Sequence, residues 1–411
     1  MTPQPWIVRA AAATFLILGS LPAAEPRWAD PRGFFEQETV AETEIRPGLR
    51  RIAARGLRGG RPIESQLLVV DLRRTDLRLE ALTGRRVLRA KSGQFVWRST
   101  VSQMLADRDA LAAINVAFFD IGATQATQGL VIQNGKLLRE PQAGRPALLA
   151  FDDGRLALAE PTWSGRVHSG AQRRPLAGVN RPQLAADEVV AYQLPWSRSP
   201  GSSAAFTRTQ KVREILIGPV ILHPATATGE PARLAGPVIE IRDDGRPFEL
   251  QEKQLVLCAG ESAAPFFRAT RVGAEISIDW SLQGLPPGHA AHTLRDAVAA
   301  QPLLIRDGKK LPGDGSFWTT RHPRSAVALH ADGRQAILLV VDGRSAESAG
   351  MALATLADYL RHLGAHHALN LDGGGSSALA IRDAGKARIL NTPSDGRERP
   401  IPTGLGVVEV K

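Results

Sequence analysis

Cysteine is almost missing from this chain: Cys258 is the single one among 411 residues. No intramolecular disulfide can form, no metal site can rest on a set of thiolates, and the fold must be held by its apolar core. Long apolar runs are equally scarce. Outside the N-terminus none reaches the roughly 20 residues that a membrane-spanning helix needs. Basic residues outnumber acidic ones, 51 to 41, for a formal net charge of +10. They are scattered rather than blocked, and no zinc finger or other nucleic-acid motif appears, which argues against a nucleic-acid partner. The charge balance favours other anionic partners, lipid headgroups or phosphorylated glycans. The histidines are read as isolated, without the spacing of a metal-ligand set, and no internal repeat is visible.

What is present begins with an export signal. Arg9 supplies a positive start, Ala10 to Leu21 a short apolar stretch, and Ala23-Ala24 the small residues of a cleavage site, as in a secretory leader. The expectation is a signal peptide over 1–24, a poorly structured arm rich in Arg, Glu, Pro and Gly over 25–64, and a single domain over 65–411. The mature protein is then periplasmic or secreted, with no membrane span left after cleavage.

Along that domain the patterns are those of strands. Gln66–Leu72 reads as a buried strand and Asp76–Leu82 as a half-buried one alternating at period two, the two forming a hairpin across Arg73–Thr75. Ser99 to Ala112 reads as a helix with Ser99 as N-cap, and Ala113 to Asp120 as a strand ending at a carboxylate. Asn134-Gly135, Asp153-Gly154, Asp244-Gly245, Asp307-Gly308 and Asp332-Gly333 are turn signals between short apolar runs, which favour antiparallel pairing over βαβ units. Arg198–Ser203 marks a loop, and His292–Ala300 reads as a short helix. Gly350–Leu363 reads as an amphipathic helix stopped by Gly364. The fold class that follows is α+β: mixed, largely antiparallel sheets with few helices packed on them.

The centre of the sequence is Ala368-Leu369-Asn370-Leu371-Asp372-Gly373-Gly374-Gly375-Ser376-Ser377-Ala378-Leu379-Ala380-Ile381. It reads as strand, tight loop, strand. Three glycines let the backbone adopt positive φ and let a ligand touch the main chain, and their N–H groups can form an anion-binding concavity. The stretch lacks the last glycine of Gly-x-Ser-x-Gly, so a serine nucleophile elbow does not fit. Asn370–Ser377 resembles the signature of the phosphodiester glycosidase family. Further stretches resemble that family in the same order. These are Asn115-Val116-Ala117-Phe118-Phe119, Gly178-Val179-Asn180-Arg181, Gln301-Pro302-Leu303-Leu304, Pro323-Arg324-Ser325-Ala326, Val341-Asp342-Gly343-Arg344 and Asn391-Thr392-Pro393-Ser394-Asp395-Gly396-Arg397-Glu398-Arg399. Val116 and Ala117 replace the family's small residues, Gln301 replaces a glycine and Ser325 a threonine.

The resemblance implies cleavage of the bond between a sugar C1 and a phosphodiester in an envelope or extracellular glycan. The charge logic of the residues is compatible with it. A phosphodiester needs cations, and arginine's planar fork can hold two phosphate oxygens; Arg324, Arg344 and Arg399 are the candidates, with His322 as a further donor. An oxocarbenium-like transition state needs a carboxylate. Asp372 is the first candidate for nucleophile or base, ahead of Asp342 and Asp120. Asp342 reads equally as an Asp-Gly hairpin turn. Asn115 and Asn370, polar residues inside apolar strands, either orient the site or tie strands together. Gly373, Gly374, Gly375 and Ser376 form its floor. No cofactor is demanded; a Mg or Ca ion on Asp372 or Asp342 is compatible with carboxylate chemistry. The alternative is a non-catalytic glycan- or phosphate-binding envelope protein on the same fold, which would need the arginines but not Asp372.

Overall fold

The computed structural model describes residues 28–89, 95–195, 212–246 and 248–410. The signal peptide read over 1–24 and the loop read over 198–203 lie outside them. Two sheets, built from both ends of the chain, carry the first half of the fold. The larger has eight strands in the order Glu36–Arg46, Leu49–Arg58, Arg61–Asp71, Gln335–Val341, Arg324–Leu329, His367–Asn370, Leu303–Arg306, Lys309–Lys310. The smaller runs Lys386–Ile389, Leu379–Asp383, Ala112–Asn115, Thr403–Glu409, Leu77–Thr83. Their facing sides share one core, with Leu68, Val70, Leu338 and Val340 from the first sheet meeting Leu79, Ile114, Leu379 and Val407 from the second. The outer face of the large sheet is covered by the helix Leu353–His362, through Leu353, Leu356, Tyr359 and Leu360. That of the small sheet is covered by the helix Val101–Arg108, through Val101, Met104 and Leu105. The result is a helix–sheet–sheet–helix stack, in which each strand's alternate residues face opposite ways.

Residues 131–299 build the second half, a nine-stranded sheet and a five-stranded one. The strand Ala147–Phe151 joins the halves: Leu148 and Ala150 enter the first core, Ala147, Leu149 and Phe151 the second. All strand pairings among the described residues are antiparallel except Gly178–Val179 with Val189–Gln193, so the fold is α+β with largely antiparallel sheets and few helices. The expected turns form at Asn134-Gly135, where both φ angles are positive (50° and 75°), and at Asp332-Gly333 between the Arg324 and Gln335 strands.

Several expectations fail. The strand read from Ala113 to Asp120 runs only over Ala112–Asn115. The arm read over 25–64 is, in its described part 28–64, not poorly structured: Glu36–Arg46 and Leu49–Arg58 are the outer strands of the large sheet, and Phe34 and Phe35 pack on Tyr359 at 4.6 and 5.0 Å. The pair is laced with charge on its solvent side, as in the Arg50–Glu42 ion pair, and that charge hides the alternation of buried Leu49, Ile52 and Ala54. The hairpin across Arg73–Thr75 is absent, because Arg61–Asp71 and Leu77–Thr83 belong to different sheets. The first helix is capped by Thr100, which accepts from Gln103 N in a capping box, while Ser99 Oγ accepts from Arg85 N and Ala112 already belongs to a strand. Instead of a helix over His292–Ala300 there is a 3-10 turn, Ala291–Thr293, followed by the strand Leu294–Ala299, whose pairing on both sides outweighs the helix propensity of its alanines.

Candidate active site

The site forms where corresponding ends of the two facing sheets meet. Arg324 opens its strand opposite Val341, and Asn370 closes its own opposite Ala326, so Arg324, Asp342 and Asn370 emerge at one edge of the large sheet. In the small sheet Asn115 ends a strand beside Leu379 and Gly404. Residues 371–378 carry the chain from one sheet to the other, with a 3-10 turn at Gly374–Ser376. Asn115 holds this crossover. Fully buried, it donates its amide to the Asp372 carbonyl and accepts from Ala378 N at 3.1 Å and Ser325 Oγ at 2.8 Å. The Asp372 N–H donates to Val116 O at 2.9 Å.

Each glycine of the loop is faced by one of the three arginines. A Cβ on Gly373 would lie 2.8 Å from Pro323 O and 3.9 Å from Arg324 Cδ; one on Gly374 would lie 3.1 Å from Arg344 Nη2; one on Gly375 would lie 2.1 Å from Arg399 Nη2. Gly374 also sits at φ +61°, a region that residues with a Cβ rarely enter. Gly374 and Gly375 are thus needed for close approach of the Arg344 and Arg399 guanidinium groups to the main chain, and Gly373 for that of the Pro323 carbonyl.

The arginines differ in what neutralises them. Arg324 is 2% exposed. Its Nε donates to Met351 O at 2.9 Å and its Nη2 to Phe317 O and Thr320 O at 3.1 and 2.8 Å. No carboxylate pairs with it among the described residues, and burial, then Arg344, lowers its pKa to about 10. It remains protonated at neutral pH. Arg344 donates from Nη2 to His322 Nδ1 at 3.1 Å. An acceptor at Nδ1 means a neutral imidazole with its proton on Nε2, and burial together with Arg324 and Arg344 does hold the His322 pKa below the usual value. Arg399 is paired, through Nε with Asp395 Oδ2 at 3.0 Å, and donates from Nη1 to Ser376 Oγ at 3.3 Å.

Asp372 is half-buried and its Oδ1 accepts from Gly373 N at 3.0 Å. Burial raises its pKa to about 6, against the opposing pull of Ser376, Arg399 and the Gly373 N–H. That puts the carboxylate in the range suited to proton transfer or attack near neutral pH. Asp342 is not a hairpin turn. It is buried, its oxygens accept from Asn391 Nδ2 at 3.1 Å and Thr392 N at 3.0 and 3.1 Å, and burial raises its pKa. These donors occupy lone pairs that a Mg or Ca ion would use. Asn370 donates to Gln301 O at 2.6 Å. Asn370 and Asn115, read from the sequence as orienting the site or tying strands together, are both buried with their amide nitrogens on main-chain carbonyls, a geometry that holds the backbone around the site. Asp120 caps its own turn through Ala123 N, Thr124 N and Thr124 Oγ1 and lines a cavity of about 600 Å³ with Thr124, Trp163 and Arg181.

Ser325, Ser377 and Asn391 were missed as site builders. Asn391 links Asp342 to Ser377 O at 3.2 Å and Leu379 N at 2.9 Å. Ser377 and Asn391 lie inside stretches that carry the family resemblance, and that was the available signal.

Residues 244–408 match the family model "Phosphodiester glycosidase". The SPbeta prophage-derived uncharacterized protein YomE of Bacillus subtilis is 32% identical over 116 residues, 28% of this chain and 17% of that protein. A hypothetical protein from Synechocystis aligns at a TM-score of 0.66 and 18% identity, over 91% of this chain and 64% of its own. A putative exported protein from Burkholderia pseudomallei aligns at 0.64 and 19%, over 84% and 74%. This chain therefore spans less than two thirds of the length of YomE and of the Synechocystis protein, and the two structural likenesses are likenesses of fold. Over residues 244–408, which contain the glycine loop, its three arginines, His322, Asp342 and Asp372, the chain is similar to the phosphodiester glycosidase family.

Proposed function

We propose that the protein is an exported phosphodiester glycosidase, hydrolysing the bond between a sugar C1 and a phosphodiester in an envelope or extracellular glycan. The observation that carries this reading is the loop at Gly373–Gly375, where the Arg344 and Arg399 guanidinium groups approach the main chain and the Arg324 side chain borders Gly373, beside a carboxylate poised near pH 6. Arg324, buried and without a carboxylate partner among the described residues, holds positive charge where an anion would neutralise it. The arginines bind the phosphodiester oxygens. Asp372, deprotonated, attacks C1 or takes a proton from the water that does. The C1–O bond breaks and its electron pair leaves with the phosphate monoester, whose second pKa of about 6 makes it a good leaving group without a strong general acid.

The test is release of phosphate monoester from a panel of sugar-1-phosphodiesters by the parent chain and by Asp372→Asn. Cleavage by the parent and its loss in a normally folded Asp372→Asn supports the reading. Binding of phosphodiesters by both, with cleavage by neither, identifies a binding protein and overturns it.

A further inference from the structure

The hairpin from Leu303–Arg306 to Lys309–Lys310 turns at Asp307-Gly308, both with positive φ (51° and 72°). Gly308 N donates to His366 O at 2.8 Å, which seats the turn against the start of the neighbouring strand. His366 precedes that strand and so escapes its alternation. Its ring and that of His367 lie edge to face, centroids 4.6 Å apart, and both present Nε2 to the same atom, Asp307 Oδ1, at 3.6 and 3.8 Å. These separations are too long for hydrogen bonds. They are close to the roughly 3.3 Å between donor atoms that tetrahedral ligation at about 2.0–2.1 Å implies. One donor atom from each residue lies within 4.8 Å of the others.

We propose that Asp307, His366 and His367 form a binding site for one cation of the zinc class, separate from the glycine loop. Two imidazoles with one carboxylate are the donor set of zinc and its neighbours, whereas Mg and Ca take oxygen ligands. The side chains are 70%, 36% and 29% exposed respectively, so water can fill the fourth position. Ligation needs neutral rings. The nearby cation Arg306 is paired with Glu160 at 3.0 Å. A metal on His367 Nε2 places the proton on Nδ1, so the long 3.4 Å contact from Asp307 N to Nδ1 gives way. His362, four residues before His366, is engaged elsewhere, on Arg32 O at 2.9 Å. The reading of the histidines as isolated overlooks the spacing in His362-Leu363-Gly364-Ala365-His366-His367.

The site bridges the hairpin and the strand His367–Asn370, whose pairing is short and broken in register between Leu303 and Ile305. A cation there staples the strand that leads to Asn370 and Asp372, and it raises stability by binding only the folded chain.

The experiment is calorimetric titration of the untagged, chelator-stripped full chain with zinc chloride at about pH 7.5, where imidazoles are neutral, alongside its unfolding temperature. One equivalent bound, with a rise in unfolding temperature that Mg or Ca does not reproduce, is expected. His366→Ala should abolish both effects. Asp307→Asn should weaken binding by more than about tenfold, since even outer-shell partners are worth that much; asparagine tolerates the left-handed backbone there, so this variant decides if His366→Ala fails to fold. No binding by the parent, or binding unchanged in either folded variant, overturns the proposal.

Discussion

The side chain of Asn115 hydrogen-bonds the main chain of Asp372, 257 residues later, and joins the two sheets at the point where the crossover loop begins. The same side chain accepts from Ser325 Oγ and Ala378 N. Asn115→Ala removes the side-chain partner of two main-chain groups, Asp372 O and Ala378 N, each worth about 1–3 kcal/mol, and leaves Ser325 Oγ with Ser377 Oγ alone. The urea midpoint should fall sharply, and activity should fall with it. A midpoint equal to the parent's would mean that Asn115 does not hold the crossover.

Asp372 runs the other way. Its pKa of about 6 in the folded chain lies above the ordinary 3.8 of the unfolded one. The stability this group contributes is present below pH 4 and is lost as pH rises through about 6, because the folded state binds the proton more tightly. Asp372→Asn removes that loss. The variant should therefore melt at or above the parental temperature at about pH 8 while turnover falls by at least about a hundredfold. The acid limb of the parent's pH–rate profile should lie near pH 6. A limb far from that value, or an Asp372→Asn enzyme with parental turnover, would remove Asp372 from the chemistry.

Gly375→Ala separates the site from the fold. The nearest atoms its Cβ would meet are side-chain ends, Arg399 Nη2 at 2.1 Å and the Asp395 carboxylate at 2.2 and 2.3 Å. These can swing outward, so the unfolding temperature should move little. Arg399 would then leave Ser376, and kcat/KM should drop about tenfold, as for the loss of one charge-assisted contact. Unchanged kinetics would place Arg399 outside the site.

Arg324→Lys keeps the charge and loses the fork. An ammonium group cannot span the carbonyls of Met351, Phe317 and Thr320 that the guanidinium holds. The helix Gly315–Thr319 buries none of its own side chains, so this anchor matters to it. KM should rise, and the segment around Phe317 should show faster amide exchange. Parental exchange and KM together would contradict both roles.

The sequence alone determined the class of fold and pointed to the centre of the candidate site. Alternating apolar runs and Asx-Gly turns are local signals, and each acts over a few residues, as at Asn134-Gly135 and in the helix ended by Gly364. The glycine loop with Asp372 was legible for the same reason, since three glycines between apolar strands have little other use. Tertiary structure decided what depends on partners far along the chain. The strands Glu36–Arg46 and Leu49–Arg58 carry so much charge that only the sheet beside them reveals their buried face. The separation of Arg61–Asp71 from Leu77–Thr83 depends on which strands pair with each. The hold of Asn115 and Asn370 on main-chain carbonyls, and of Arg324 on three carbonyls with no carboxylate partner among the described residues, appeared only once their partners were in place. Asp307 met His366 and His367 only because a turn and a strand start sit side by side. Burial and proximity set charge states and roles, and neither is a property of a residue taken alone.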